Sequence, residues 1–315
     1  MKIIAMNLNP CIDWQCSVKE YVHGGLNRVK RTRQDVAGKG INVGIVLKNL
    51  GLDPEFMGFN FVENGFLLTD KLNEMGIRHN FTEVGGAIRT NIKLYEEITG
   101  KMTELNQPGD FVCEKRQSDV LDKTALASEN TGAEGILVLS GSRPQGVSAD
   151  FYARLMNKWS GMVFLDTEGE ALRLALEEKP PFALKPNLFE LESTFGMKFE
   201  TKESIAGFCK EKFIARGVKI VCVSMGAEGA LLVTQKNAFF SHALNVEAKG
   251  VAGAGDAMVA GLVYATVKSL PDEELLPTAM AAASASVILD GTQMCTRESF
   301  EEFLTIAKST HILLT

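Results

Sequence analysis

Along this chain, short runs in which almost every position is apolar alternate with longer stretches in which apolar residues recur three and four apart. Residues 2–8, KIIAMNL, read as a buried strand. AGKGINVGIVLKNLG then opens a helix with Val43, Val46, Leu47 and Leu50 on one face and Gly51 as its stop. EFMGF predicts a second strand, and residues 64–75 a helix that ends at Gly76. After Asp110 the alternation is regular, with apolar strands at 135–141, 161–166, 182–187 and 219–226 separated by helical stretches. Continuous apolar strands interleaved with amphipathic helices predict a mostly parallel α/β sheet sandwiched by helices. ALLVT and AFFSHAL add an antiparallel meander. Three helices close the chain, at 255–268, 272–289 and 298–308, the last with Phe300, Phe303, Leu304 and Ala307 on one face.

Two segments break the rhythm. Residues 11–34 are polar, glycine-containing and basic toward their end, while 86–108 reads as two strands joined by a tight glycine turn in ITGK. Both are expected to be insertions of extended structure. Repeats and low-complexity linkers are absent, so residues 1–315 are expected to form one α/β domain carrying these insertions.

Composition narrows the function. With 45% hydrophobic and 23% charged residues the chain has the make-up of a globular protein, and its net charge of −6 offers no basic surface for nucleic acid. An anionic substrate must be drawn by a local group of Lys and Arg. Six cysteines without CxxC pairing and only four histidines exclude the usual zinc arrangements. The opening apolar run meets Pro10 too early for a signal peptide, and no apolar stretch approaches the ~20 residues that span a bilayer. The expected setting is cytoplasmic and reducing.

Chemistry in a parallel sheet gathers beyond the carboxyl ends of strands, and five loops there carry suggestive residues. In GVAGAGDAMVAG (250–261), Gly253, Ala254 and Gly255 leave backbone N–H groups bare at a helix start, where the helix dipole favours an anion. Asp256 sits beside them. A carboxylate there either caps the helix or faces the hydroxyl that receives a transferring phosphoryl group, accepting its proton while the amides hold the developing charge. AGKGINV offers backbone access at Ala37, Gly38 and Gly40, with Lys39 and Asn42 as cation and amide, which suits a polyhydroxylated and phosphorylated molecule; it also fits a plain glycine-rich helix entry. In NPCID, Asp13 could accept from sugar hydroxyls or serve a turn. LKPNLFEL brings Lys185, Asn187 and Glu190, and VSMGAEGALL places Ser224, Gly226 and Gly229 in a small-residue turn between strands. No GxxxxGK[ST] is present, and the spacing of Gly38, Gly40 and Gly44 misses the dinucleotide fingerprint by one residue, which disfavours a P-loop protein and a dehydrogenase.

The order AGKGINV, GSRPQG, KPNLFEL, SMGAEGALL, GAGDAMVAG resembles the ribokinase-like (PfkB) carbohydrate kinases over nearly the whole length. Arg89 with NIK, and LNPCID, resemble its sugar-phosphate branch, which holds 1-phosphofructokinases, tagatose-6-phosphate kinases and minor 6-phosphofructokinases. The resemblance implies ATP as phosphoryl donor and fructose 1-phosphate as acceptor. Tagatose 6-phosphate, fructose 6-phosphate, an unphosphorylated sugar or nucleoside, and a catalytically silent sensor are the alternatives. It implies Asp256 as catalytic base and Gly253, Ala254 and Gly255 as anion hole. Ser224, Gly226, Gly229 and Gly255 would hold ATP with Lys185, and Asn187 with Glu190 would organise Mg²⁺, largely through water. Asp13, Gly38, Lys39, Asn42 and Asn91 fall to the sugar site, and Arg89 with Arg28 and Lys93 to the phosphate it already bears. The two insertions, 11–34 and 86–108, would form a β-sheet lid that closes before transfer to water can compete, and whose strands pair across a homodimer.

The chain also departs from the family pattern. Ala37, Phe61 with Val62, and Ile88 replace glycine, a Gly-Gly pair and threonine, and all three changes bear on which sugar is taken. Gly250, Val251 and Ala252 replace a polar run before the anion hole, which weakens the expectation of an activating monovalent cation.

Overall fold

The computed structural model describes residues 1–250, 252–289, 291 and 293–314, so Val251 of the altered run lies outside the described residues. In chain order the strands are β1 (Ile3–Asn7), β2 (Cys11–Val18), β3 (Arg31–Ala37), β4 (Pro54–Phe61), β5 (Arg78–Val84), β6 (Arg89–Glu96) and β7 (Lys101–Asn106). They continue as β8 (Ile136–Ser140), β9 (Met162–Asp166), β10 (Ala183–Leu184), β11 (Ile220–Ser224), β12 (Ala230–Thr234), β13 (Ala238–Ser241) and β14 (His311–Leu314).

Ten of these form one sheet in the order β14-β13-β12-β11-β10-β9-β8-β1-β4-β5. From β11 to β5 every pairing is parallel, and β12, β13 and β14 add an antiparallel flank. Successive residues feed opposite cores: Ile4, Met6, Leu137 and Leu139 pack on one face, Ile3, Ile136, Val138 and Phe164 on the other. Burial on both faces is why these strands read as unbroken apolar runs rather than as alternations. On the first face lie helices Phe66–Glu74, Glu114–Thr131, Phe151–Asn157, Gly169–Glu178 and Lys202–Lys212; on the second lie Lys39–Asn49, Ala254–Val267, Asp272–Val287 and Arg297–Ala307.

The remaining four strands make a separate sheet, β3-β2-β6-β7, from the two segments that broke the rhythm. Its register sets Asp13 beside Asn91 and Asn91 beside Asn106, and one step on Trp14 beside Ile92 and Ile92 beside Leu105. Because side chains alternate across a pleated sheet, the first row lines a cavity against the larger sheet, whereas Trp14, Ile92 and Leu105 remain 38%, 36% and 60% exposed.

Several boundaries differ from the sequence reading. In the run 182–187 the strand is confined to Ala183–Leu184, with a separate parallel bridge from Asn187 to Ser224, and Pro186, which has no N–H, stands between the two. Strand β3 runs on to Ala37, past the expected limit of its insertion. β5 and β14 were not foreseen: β5 alternates exposed and buried residues at the sheet edge, and β14 is an edge strand with Ile312 and Leu313 half exposed.

Candidate active site

The helix Ala254–Val267 begins at Gly253, whose φ of 83° places it in the left-handed region that glycine adopts without strain. Among the described residues no side chain caps this helix start. The N–H groups of its first turn therefore have no intrahelical partner and face the cleft. Asp256, in that turn, does not cap its own helix; its Oδ2 accepts from Asn42 Nδ2 at 2.7 Å. Asn42 stands on helix Lys39–Asn49, which can sit this close because Gly40 has no side chain: a Cβ there would lie 2.1 Å from the Met6 carbonyl oxygen at the end of β1. Burial, reinforced by the charge of Asp166, pushes the Asp256 carboxyl up to about 7, while Lys39, Asn42 and Lys185 pull the other way. A carboxyl poised near neutrality can accept a proton at working pH.

Asp166, at the carboxyl end of β9, was missed by the sequence reading. It is fully buried, accepts from Ser140 Oγ at 3.0 Å, and lies 3.3 Å from both Lys39 Nζ and Lys185 Nζ. Burial alone would raise its pKa, but Lys185, Lys39 and Ser140 outweigh that and hold it below the usual carboxylate range. In return Asp166 keeps the Lys39 ammonium firmly protonated, against the cost of burial and with help from Glu190 and Asp256. A polar residue ending an apolar strand, as in MVFLD, was the available signal.

Two cavities meet at this helix start. One, of about 540 Å³, runs from Ser224, Gly226 and Gly229 to Gly255 and is walled mainly by apolar side chains such as Leu244, Val246, Met258 and Met280, with Asn245 and Ser284 among them. Gly229 must be glycine, since its φ is 118° and a Cβ would fall 1.9 Å from the Ser241 carbonyl oxygen. The other, of about 430 Å³, is lined by Asp13, Gly38, Lys39, Asn42, Arg89 and Asn91 and by Asp256 itself. Ser224 and Gly255 line both. Lys185 completes the junction, its Nζ 3.3 Å from where a Cβ on Gly255 would stand.

The four-stranded sheet supplies the far wall. Asp13 is nearly saturated: Asn91 Nδ2 donates to Oδ1 at 3.1 Å, Cys11 Sγ at 3.4 Å, and Lys93 Nζ donates to Oδ2 at 2.6 Å. Burial, with Asp13 beside it, pushes the Cys11 thiol up to about 12, so it stays a neutral donor. Lys93 lines the same cavity, its ammonium neutralising buried Asp13. Arg28 lies exposed between β2 and β3 and is not among the residues lining these cavities. Arg89 does line the cavity, with Nη1 donating to the Gln107 carbonyl at 2.8 Å.

Asn187 and Glu190 are brought together as a reciprocal cap of helix Leu188–Phe195, the Asn187 N–H donating to Glu190 Oε2 at 2.8 Å and the Glu190 N–H to Asn187 Oδ1 at 2.7 Å. Glu190 Oε1 faces Lys39 at 3.7 Å. Among the described residues no group of three His, Cys, Asp or Glu could enclose a metal ion. One carboxylate and one amide fit a Mg²⁺ that keeps most of its water and leans on a ligand's phosphates.

A buried acid at the start of a glycine-led helix, set where two cavities join, defines an α/β enzyme built to bring two ligands together. The chain belongs to the pfkB family of carbohydrate kinases, whose profile matches residues 6–299. It is 32% identical over 313 residues to a 1-phosphofructokinase of Bacillus subtilis strain 168, covering 98% of this chain and 100% of that one. It is 34% identical over 292 residues to the 1-phosphofructokinase of Escherichia coli K12, covering 91% of each. Among solved structures, a putative phosphofructokinase from Staphylococcus aureus superposes with a TM-score of 0.81 at 28% identity, over 99% of this chain and 98% of that one. Phosphofructokinase-2 of Escherichia coli in complex with substrates and products superposes with a TM-score of 0.91 at 24% identity, over 98% and 99%.

Proposed function

We propose that this protein transfers the γ-phosphoryl group of ATP to the free primary hydroxyl of fructose 1-phosphate, yielding fructose 1,6-bisphosphate and ADP. The observation that carries the reading is the position of Asp256: buried, titrating near neutrality, and lining the polar cavity at its junction with the apolar one. The apolar cavity takes the nucleotide, with Ser224, Gly226 and Gly229 at the phosphates. The polar one takes the sugar, with Asp13, Gly38, Asn42 and Asn91 at its hydroxyls and Arg89 at the phosphate it carries.

Asp256 accepts the proton of the attacking hydroxyl as the oxygen bonds to phosphorus and the bond to ADP breaks. The amides of residues 253–255 and the Lys185 ammonium stabilise the charge that spreads over the moving phosphoryl group. Lys39, fixed by Asp166, borders the acceptor. Asn187 and Glu190 would hold Mg²⁺ through water, and the ion supplies neutralising charge at the nucleotide phosphates. The whole chain forms one working unit, residues 11–34 and 86–108 serving as a lid. The exposed stripe Trp14, Ile92, Leu105 on its outer face meets the same stripe of a second copy; a tetrameric form is known for Escherichia coli phosphofructokinase-2.

The test is ADP release with fructose 1-phosphate, fructose 6-phosphate, tagatose 6-phosphate and plain fructose. Preference for fructose 1-phosphate supports the assignment. Equal or greater turnover of another acceptor moves the substrate, and no ADP above background with any of them removes the kinase reading.

A further inference from the structure

The larger sheet starts at its middle. β4 is laid down on one side of β1, and β8 returns to the other. At such a switch the loops leaving the two strands part in opposite directions and leave a crevice between their carboxyl ends. Here that crevice is a chamber of about 430 Å³, with Asn7 and Asn9 from the end of β1, Ser142 and Arg143 from the end of β8, and Lys39 and Arg89 shared with the cavity that holds Asp256.

The chamber has a surplus of donors. Lys39 is committed to Asp166. Arg89 and Arg143 form no ion pair with a carboxylate among the described residues. Each is steadied by a single bond to a carbonyl, Arg89 to Gln107 at 2.8 Å and Arg143 to Val147 at 2.9 Å, which leaves the other guanidinium N–H groups available. Asn7 is 2% exposed and its Nδ2 has no hydrogen-bond partner among the described residues. Among the described residues Glu168 is the one acid on the wall. Two guanidiniums and an unpartnered amide N–H beside a single carboxylate call for a multivalent anion, and a phosphomonoester accepts from guanidinium forks in pairs.

We infer that Arg143 is a substrate-binding residue that, opposite Arg89, grips the phosphate already carried by the acceptor, and so sets the preference for a phosphorylated over an unphosphorylated sugar. The inference rests on the reading that the acceptor is a sugar phosphate, and it concerns a residue that the sequence comparison with the sugar-phosphate branch did not single out. Because this phosphate is remote from the bond being made, the contact is equally strong in ground and transition states, so its loss appears in KM.

The experiment compares wild type, Arg143→Met and Arg143→Lys for KM and kcat with fructose 1-phosphate and with fructose, KM for ATP, and competitive inhibition by inorganic phosphate. Loss of a charge-assisted bond predicts a KM for fructose 1-phosphate raised about tenfold or more in Arg143→Met. kcat and the KM for ATP should move little, the preference over fructose should fall by a similar factor, inhibition by phosphate should weaken, and Arg143→Lys should lie between. A structural role for Arg143 would move the KM for ATP or the fructose activity as well. An unchanged KM for fructose 1-phosphate in a working Arg143→Met enzyme overturns the inference while leaving the acceptor reading intact. A wild type that uses fructose as well as its phosphates overturns both.

Discussion

Asn42 donates to Asp256 at 2.7 Å and so ties the helix that enters the core first to the helix that carries the buried acid, 214 positions later in the chain. The bond leaves Asp256 Oδ1 for another partner, and Asn42 Oδ1, buried with no hydrogen-bond partner among the described residues, borders the same cavity. Asn42 thus aims the carboxylate and lowers its pKa, since it donates to the charged form. Asn42→Ala is expected to cut kcat roughly tenfold or more through lost orientation, and to move the acidic limb of the pH–rate profile upward. A profile that keeps its limb in place would assign Asn42 to packing alone.

The same limb reports the two acids together. With Asp256 as the base, kcat/KM should rise with pH and level off above about 7. Asp166 raises that value by repulsion, so Asp166→Asn should move the limb to lower pH. It also strips a fully buried pair of its anion beside Lys185 and Lys39, which should cost about 3–5 kcal/mol of stability. Denaturant melts and pH–rate profiles of the one variant check both parts.

Stability carries an independent signature of Asp256. Its carboxyl titrates at about 7 when folded against an ordinary 3.8, so the folded state holds the proton over that interval and the unfolded chain does not. Stability should fall as pH rises from about 4 to about 7 and stay flat above. Asp256→Asn removes this slope: the variant should melt higher than wild type at pH 8, and the gap should close by pH 4. Parallel melting curves across that range would mean the carboxyl is not strained by burial.

The outer face of the small sheet yields a prediction about assembly. Ile92 sits between Trp14 and Leu105 in register, and all three are exposed. Ile92→Glu would place one buried carboxylate from each copy in a twofold interface of this kind. Sedimentation should show wild type as a dimer and Ile92→Glu shifted toward monomer. An unchanged assembly would place the interface elsewhere.

Much of this architecture could be read from the chain because burial on two faces writes itself as unbroken apolar runs; Ile136–Ser140 and Ile220–Ser224 were evident on that ground. β5 escaped notice because its outer residues, among them Arg78 and Glu83, are polar, and the short edge strand β14 lacks a buried face to mark it. In the site, Asp256 and Asn42 stood in glycine-rich stretches whose composition draws attention, and Lys185 followed an apolar run. Asp166 did not stand out, since it acts through groups 19 to more than a hundred positions away, Lys185 and Lys39; nor did Arg143, because only the fold sets it on one wall with Arg89. The Lys93–Asp13 pair was not legible because the sequence cannot show that β2 and β6 lie side by side.

The most direct measurement is turnover of ATP and fructose 1-phosphate by Asp256→Asn, set against its affinity for each ligand. The account predicts that both still bind near wild-type strength while kcat falls by about two orders of magnitude or more. Undiminished turnover in that variant would contradict it.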